Sequence, residues 1–274
     1  MNRPSLLFLT DLSNGSEDED ILMSNFLRRD FRVIICHPAD CEELEDKADA
    51  IIIRNIWNEK EYGKPEPWYK RWRGKKLPIH DDLYVREGDY YSGAGETKDY
   101  LIWLTKNGFP VVPSIDDIKN LHDLPEADAY FIKPKDGFDA INARRISKTE
   151  LLELNPQHYL IQPFVDFEYE ISFYYLNKKL QYTLYAPDKT KRWDLVEFVP
   201  SERDIVFAQK FIDWNMQKYG IERIDACRLK NGDLSLIEIT DQGGAYLSAQ
   251  DLSEGLRNTF LENLSASIRK NCKI

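Results

Sequence analysis

The chain has few of the residues that mark disulfide-rich, zinc-binding or membrane-spanning proteins. Its 274 residues include four cysteines and four histidines, and the cysteines show no paired C-x-x-C spacing. This scarcity excludes a dense disulfide framework and argues against the common zinc sites. The apolar run at 5–10 is far shorter than the roughly 20 residues of a membrane helix, and acidic residues follow it. We therefore expect reduced thiols and a cytoplasmic protein.

Positive charge is also in deficit, with 37 Lys and Arg against 47 Asp and Glu and a net charge of −10. Nucleic acids and anionic membranes are bound by basic surfaces, so neither is expected as a partner. The glycine-rich stretch 85–97 has no strand before it and no G-x-x-x-x-G-K-[ST] pattern, which excludes a P-loop. Small-molecule ligands remain, and a homodimer is one option for the open oligomeric state.

Apolar strands alternate with helices in the first third of the chain, as in an α/β unit. Strands are predicted at 5–10, 31–36 and 48–55, with helices at 18–29 and 42–47. Continuous apolar strands separated by helices favour a parallel sheet buried on both faces. Ligands of such sheets bind beyond the carboxyl ends of the strands.

Three side chains follow those strand ends and are candidate substrate contacts: Asp11, Arg54 and Trp57. For Arg54, pairing with a neighbouring acid is an equally open alternative.

The rest of the chain contains shorter strands in two groups. The first group predicts a compact inserted module with strands at 109–113, 129–134, 143–147 and 158–165 and helices at 114–121 and 149–154. The second group predicts strands at 168–177 and 179–187, a helix after the near capping box of Ser201 and Asp204, a hairpin at 223–241, and a C-terminal helix. The fold class predicted from this order is α/β (α+β).

The hairpin carries an acid in each strand. Asn231-Gly232 between β-rich segments predicts a two-residue turn, and that register places Asp225 directly opposite Glu238. The same register pairs Cys227 with Leu236 and Lys230 with Asp233. A three-residue turn would instead place Asp225 opposite Ile239.

Two carboxylates directly opposed across an antiparallel pair repel each other, so another group must offset the repulsion. Mg²⁺ does so in many sites, held by one or two carboxylates and the phosphates of a substrate. The sequence therefore predicts a metal–nucleotide site at Asp225 and Glu238. Two alternatives stay open: one acid is protonated, or each acid pairs with a basic residue such as Arg223 or Arg228.

A metal-bound nucleotide also needs cations for its phosphates, contacts for its base and an acceptor for its ribose. Lys133 ends an apolar strand and can place its ammonium group on a phosphate. Gly137 follows in a turn and can bring backbone N–H groups close to the same phosphates. Gln162 and the adjoining backbone offer polar groups flanked by apolar surface, and Glu170 lies further along the same region.

This ordered set resembles the ATP-grasp ligase superfamily. The motifs that carry the resemblance are TKDYL at 97–101, FIKPKDG at 131–137, the hinge IQPFVDFEYEIS at 161–172, RIDA at 223–226 and IEIT at 237–240. Within the superfamily, EDEDIL at 17–22 and RNIW at 54–57 resemble the branch that contains the D-cycloserine-forming ligase. The resemblance implies an ATP-grasp fold with an N-terminal parallel α/β domain at 1–96, a lid module with its preceding helix at 97–165, and a C-terminal antiparallel-sheet domain at 166–274.

The resemblance also implies a role for each motif. Lys98 and Lys133 bind ATP phosphates, Gln162 with the backbone of Phe164 and Val165 contacts adenine, Glu170 binds ribose, and Asp225 and Glu238 hold Mg²⁺, with Mn²⁺ as an alternative ion. Thr240 stands where the family has a metal-bridging asparagine, so either its hydroxyl or the Asp241 carboxylate supplies the missing oxygen. Arg192 and Arg223 are candidates for the γ-phosphate or the substrate carboxylate, and Gly243 and Gly244 for close approach to the acceptor.

The implied reaction joins a small, amino-acid-like carboxylate to an amine through an acyl phosphate, with ATP and Mg²⁺. Two alternatives remain open at this stage. One is a kinase-like phosphotransferase on the same fold. The other is a nucleotide-binding protein without catalysis, because of Thr240 and the single glycine in the loop after Lys133.

Overall fold

A computed structural model describes residues 3–14, 17–55, 72, 75, 77–85, 97–136, 140–154 and 157–274. Within these ranges the chain forms three β-sheets. None of the helices there is both long enough and apolar enough to cross a membrane.

The N-terminal sheet is parallel, as predicted. Its strands β1 (Ser5–Leu9), β2 (Arg32–Cys36) and β3 (Ala50–Ile53) lie in the order β2-β1-β3, connected by α1 (Glu17–Leu27) and α2 (Glu42–Glu45). The central strand β1 is buried along its whole length, in agreement with its four consecutive apolar residues after Ser5. Shorter elements in this part are 3₁₀ turns at Leu12–Asn14 and Pro38–Asp40 and the single-turn helix α3 (Asp82–Val85).

The helix α4 (Tyr100–Lys106) precedes the second sheet, and Gly108 has a φ of 70°, which suits a residue just past a helix. The predicted strand 109–113 and helix 114–121 were wrong. The first makes only an isolated bridge from Val111 to Leu236, and a 3₁₀ helix at Ile118–Asp123 replaces the second.

The second sheet is small and antiparallel. Strands β4 (Ala129–Pro134), β5 (Arg144–Ser147) and β6 (Tyr159–Pro163) lie in the order β5-β4-β6, and α5 (Lys148–Leu154) follows β5. Ile132, Ile146 and Leu151 fill its separate core.

The third sheet has the order β11-β10-β7-β8-β9 and is antiparallel. Its strands are β7 (Phe167–Leu176), β8 (Lys179–Ala186), β9 (Val196–Glu197), β10 (Ile221–Leu229) and β11 (Leu234–Asp241). The helices of this part are α6 (Glu202–Asn215), α7 (Glu254–Cys272) and the 3₁₀ turn Ala249–Asp251. The capping box of Ser201 and Asp204 at the start of α6 is confirmed.

The two faces of the third sheet have different neighbours. Ile171 and Phe173 of β7, with Ile224 of β10, pack in one core with α4 and α6. On the opposite face, Tyr174 and Tyr182 stack at 4.4 Å and pack in a second core with β1 and α7. Beyond those tyrosines the same face carries polar side chains, which form the candidate site.

The three sheets lie within the predicted segments 1–96, 97–165 and 166–274, respectively. The domain boundaries themselves stay a prediction.

Candidate active site

The hairpin of β10 and β11 places Asp225 directly opposite Glu238, as predicted, although its turn differs from the prediction. The turn has three residues, because the Leu229 amide donates to the Asp233 carbonyl at 2.8 Å. Gly232 adopts a φ of 85° in this turn, the left-handed conformation that three-residue hairpins place at a glycine.

A one-residue bulge restores the pairing of the two acids. The register slips between Asp225 and Ala226, and Ile237 is the extra residue on β11. A longer turn and a bulge therefore offset each other. The predicted pairs nearer the turn were wrong, since Cys227 pairs with Ser235 and Lys230 lies within the turn.

Both acids have a cation beside them. Arg223 donates from Nε to the Asp225 carboxylate at 3.0 Å, and its Nη2 lies 2.9 Å from the same oxygen. Ser172 of β7 donates its hydroxyl to the other oxygen of Asp225 at 2.6 Å. Lys98 Nζ lies 3.0 Å from Glu238. Of the two arginines that the sequence left open as partners of the acids, Arg223 does pair with Asp225. Arg228 instead donates to Asp204 at 2.8 Å.

Lys133 reaches the same place from β4. Its side chain is buried, and Nζ donates to the carbonyl of the bulge residue Ile237 at 3.1 Å. Burial lowers the pKa of Lys133, Glu238 opposes that effect, and Lys98 adds to it. Partial removal from water would raise the pKa of Glu238, but Lys98 and Lys133 outweigh it and hold that pKa below its ordinary value. Two lysines thus converge on the acid pair.

Glu170 lies on the same sheet face as Ser172, since both alternate with the buried Ile171. Burial raises the pKa of Glu170, and the charge of Asp225 raises it further, while Arg192 opposes both. The guanidinium of Arg192 also lies over the ring of Trp193 at 4.6 Å. Glu170 and Arg192 therefore border the side of the site where Asp225 lies.

Strand register separates Thr240 from Asp241. Thr240 pairs with Arg223, so it shares the face of Asp225 and Glu238, whereas Asp241 pairs with Glu222 on the opposite face. Asp241 accepts a hydrogen bond from the Gly244 amide at 3.0 Å, and burial raises its pKa. Thr240 and Asp241 were the two candidates to supply the oxygen of the asparagine that this chain lacks. Of the two, only Thr240 lies on the sheet face that carries Asp225 and Glu238.

The acid pair fits a magnesium ion that completes its shell with substrate oxygens. Among the described residues, no group of three or more His, Cys, Asp or Glu side chains could hold a metal by itself. Mg²⁺ commonly takes one or two carboxylates and fills its octahedron with water and phosphate oxygens. Two opposed carboxylates with a hydroxyl on the same face, flanked by cations for phosphate, satisfy that requirement.

The predicted adenine-binding residues lie at the end of β6 and just after it. Gln162 is buried, and its side-chain nitrogen donates to Ser114 Oγ at 2.8 Å. The Phe164 amide donates to the Ala129 carbonyl at 2.9 Å, and Arg145 lies over the exposed Phe164 ring at 4.3 Å. The half-buried Val165 connects this sheet to β7. The Gln162 amide is thus bound to the segment before the 3₁₀ helix, and the Phe164 N–H is bound to β4.

The structure contradicts the expected substrate contact of Arg54. Its side chain is fully buried, and its nitrogens donate to Glu19, Asp20 and the carbonyl oxygens of Gln242 and Ala245. The open alternative of pairing with neighbouring acids is realised.

Asp11 lies at the end of β1, as predicted, and is buried. Its Oδ1 accepts from the Ser13 amide at 3.0 Å and from the Ser13 hydroxyl at 2.6 Å, which fixes the turn after the strand. Gly243 and Gly244 lie in the turn after β11. Two further candidates, Trp57 and Gly137, lie outside the described residues.

Sequence reasoning missed three residues that shape the site. Ser172 could have been found from the alternation of β7, since it shares the face of Glu170. Tyr100 has its hydroxyl bound to the Ile239 amide at 2.8 Å, which ties α4 to β11 beside the acids. Tyr246 accepts from Arg223 Nη1 through its carbonyl at 2.9 Å. Neither contact leaves a local signal in the sequence.

No family model and no curated protein matches the sequence significantly. Solved structures do match over nearly the whole chain. The fold is similar to that of D-cycloserine synthetase DcsG, with a TM-score of 0.72 at 17% identity, covering 96% of this chain and 99% of that one. It is similar to D-alanine–D-alanine ligase from Bacillus anthracis, complexed with ATP, with a TM-score of 0.67 at 12% identity, covering 97% and 99%. A third similar structure is the ATP-grasp ligase PsnB, complexed with a precursor variant, Mg and ADP, with a TM-score of 0.61 at 12% identity, covering 96% and 97%.

Proposed function

We propose, from the premise that this chain has the ATP-grasp fold, that it is an ATP- and Mg²⁺-dependent ligase. It joins a small, amino-acid-like carboxylate to an amine through an acyl phosphate. The observation that most supports this proposal is the convergence of Lys98 and Lys133 on the opposed acids Asp225 and Glu238. Such a set binds a metal-bound polyphosphate, because it supplies both cation ligands and phosphate partners.

In this proposal each residue has a defined task. Lys98 and Lys133 bind phosphate oxygens as point charges, and Glu170 accepts from a ribose hydroxyl. Asp225 and Glu238 hold Mg²⁺, which neutralises charge on the phosphate oxygens when bound. The second sheet, which delivers Lys133, is the lid that excludes water from the reacting groups.

The reaction proceeds in two displacements. An oxygen of the substrate carboxylate attacks the γ-phosphorus, the bond to the bridging oxygen breaks, and ADP leaves. The amine nitrogen then attacks the acyl carbon, the bond from that carbon to the phosphate oxygen breaks, and the proton lost by the nitrogen leaves with inorganic phosphate. Arg223 and Arg192 orient the carboxylate through charge-assisted hydrogen bonds.

The test is a screen for product. The protein is incubated with ATP and either Mg²⁺ or Mn²⁺, with amino acids and small carboxylates, each alone and with amines. We expect ADP and phosphate in equal amounts when acid and amine are both present, and a product whose mass is their sum less one water. Hydroxylamine should trap the acyl phosphate as a hydroxamate. No ADP with any pair would overturn the proposal, and ADP with a phosphorylated product but without free phosphate would indicate the kinase alternative.

A nucleotide-binding protein without catalysis is the second candidate. It is favoured by the cations that already neutralise the acids, Arg223 at Asp225 and Lys98 at Glu238, and by Thr240 in place of asparagine. This candidate predicts Mg²⁺-dependent ADP binding in a calorimeter without turnover of ATP. Turnover with any carboxylate excludes it.

A further inference from the structure

Two aromatic side chains border the site and have no task in the chemistry proposed above. Trp193 lies between β8 and β9, and Tyr246 lies in the loop after β11. Their ring centroids are 5.7 Å apart and the rings are inclined at 77°, an edge-to-face contact. We call these two residues the aromatic pair.

The backbone around Tyr246 is bound by Arg223 of the site and by Glu19 of the helix α1. Its carbonyl accepts from Arg223, the arginine bound to Asp225. The amides of Leu247 and Ala249 donate to Glu19 at 3.0 and 3.3 Å. The loop that carries Tyr246 is therefore fixed on both sides, which favours a preorganised contact surface.

The guanidinium of Arg192 lies over the Trp193 ring at 4.6 Å. The charge of the same guanidinium opposes the rise in the pKa of Glu170, which places Arg192 near the face that holds the acids. The aromatic pair and the two guanidiniums, Arg192 and Arg223, border one side of that face.

Trp193 exposes 52% of its surface, whereas Trp72 is fully buried. A half-exposed indole under the guanidinium of Arg192 presents apolar ring surface next to a group that binds a carboxylate. A methyl side chain would cover little of that ring. A flat apolar group would cover much of it and gain the geometry-dependent attraction of aromatic pairs.

We propose that the aromatic pair contacts the side chain of the carboxylate substrate, and that this substrate is an amino-acid-like carboxylate with an aromatic or other flat apolar group. This inference rests on the ligase function proposed above and deepens it by naming the substrate class. Trp193 and Tyr246 are then specificity-determining residues.

The experiment compares wild type with Trp193→Ala, Trp193→Phe and a matched control, Trp103→Ala. Trp103 exposes 49% of its surface and also contacts an aromatic ring, that of Trp214 at 5.8 Å, but it lies on α4, the helix that packs against the opposite face of the third sheet. ADP release is measured with Mg²⁺–ATP, hydroxylamine, and the D and L forms of phenylalanine, tyrosine, tryptophan, alanine and serine.

We expect wild type to prefer aromatic acids. Trp193→Ala should lower kcat/KM for those acids about 3- to 10-fold and leave that for alanine unchanged. The loss should appear mainly in KM, because an apolar contact remote from the reacting atoms stabilises bound substrate and transition state alike. Trp193→Phe should retain most of the preference, and Trp103→Ala should match wild type.

A measurement of nucleotide binding distinguishes a wrong substrate class from a wrong ligase function. Calorimetry with Mg²⁺–ADP is performed on wild type and every variant. Suppose that wild type and every variant bind ADP and form ADP from ATP when acids are present, but Trp193→Ala keeps the wild-type selectivity. The proposed substrate class is then wrong, and the ligase function stands. Preference of wild type for alanine or serine has the same meaning. If wild type binds no nucleotide, both proposals are wrong.

Discussion

The guanidinium of Arg54 donates a 2.8 Å hydrogen bond to the carbonyl oxygen of Gln242, 188 residues further along the chain. The same nitrogen binds the Ala245 carbonyl at 2.6 Å, while Glu19 and Asp20 take the other donors. The carboxyl end of β3 therefore fixes the loop that follows β11. Since that loop carries Tyr246, Arg54 positions one side of the site.

Replacing Arg54 by lysine should strongly destabilise the protein. An ammonium group is a point charge and cannot reach acceptors arranged around a planar guanidinium, so buried carboxylates and carbonyls lose partners. We expect a loss of about 3–5 kcal/mol in the free energy of unfolding, measured by urea denaturation. The control is Arg269→Lys, whose partly exposed arginine lies 3.4 Å from Asp30 and should cost less than about 1 kcal/mol. Equal losses in the two variants would contradict the role of Arg54.

Local patterns predicted the strands well, because apolar runs between turn residues depend only on neighbours in sequence. The parallel order of β1 to β3 and the antiparallel hairpin of β10 and β11 followed from such runs. The pairing of Asp225 with Glu238 was right for an incomplete reason. A three-residue turn and the bulge at Ile237 each shift the register by one residue, and the shifts offset each other.

Contacts between distant segments could not be predicted in this way. Arg54 follows an apolar strand, a position that in a parallel sheet fits a ligand contact as well as a buried ion pair. The buried acids Glu19 and Asp20 and the two carbonyls of the loop at 242–245 show that Arg54 forms the ion pair, and these segments are far from it in sequence. The Ser114 partner of Gln162 was hidden for the same reason, because no periodicity links positions 48 residues apart.

Ser114→Ala should destabilise the protein by about 1–3 kcal/mol, because the buried amide of Gln162 would lose its acceptor. The measurement is the free energy of unfolding in urea. Thr259→Ala is the control, since its exposed hydroxyl donates to the Gly255 carbonyl at 2.9 Å on the surface of α7 and its loss should cost much less. A free energy unchanged in Ser114→Ala would show that water replaces the hydroxyl.

Asp225→Asn and Glu238→Gln should each lower Mg²⁺-dependent ADP formation about 100-fold or more. Each substitution removes a charged oxygen ligand that the proposed metal site needs, a loss of several kcal/mol in the transition state. ADP formation is followed over a range of Mg²⁺ concentrations. Asp233→Asn is the control on the same hairpin, because that carboxylate lies at the turn and pairs with the exposed Arg203. Wild-type activity in Asp225→Asn or Glu238→Gln would refute the role assigned to that residue.

Asp81→Asn should stabilise the protein at neutral pH and have little effect in acid. Asp81 is fully buried where Gln217 donates to its Oδ1 at 3.1 Å, and its Oδ2 has no hydrogen-bond partner among the described residues. Burial raises its pKa well above the ordinary value, and the charges of Asp241 and Glu222 raise it further.

The sign of the pH effect follows from proton binding. Above the ordinary pKa of an aspartate, the unfolded chain releases the Asp81 proton while the folded chain keeps it, so stability falls as pH rises towards the raised pKa. Asparagine is neutral in both states and removes this loss. We expect the melting temperature at pH 7.5 to rise by about 2–4 °C, and the difference from wild type to vanish near pH 4. Asp82→Asn, at the neighbouring buried carboxylate that accepts from the Lys218 amide at 3.0 Å, is the control and should give no such rise. A melting temperature for Asp81→Asn that stays at or below that of wild type at pH 7.5 would show that Asp81 is charged in the folded protein.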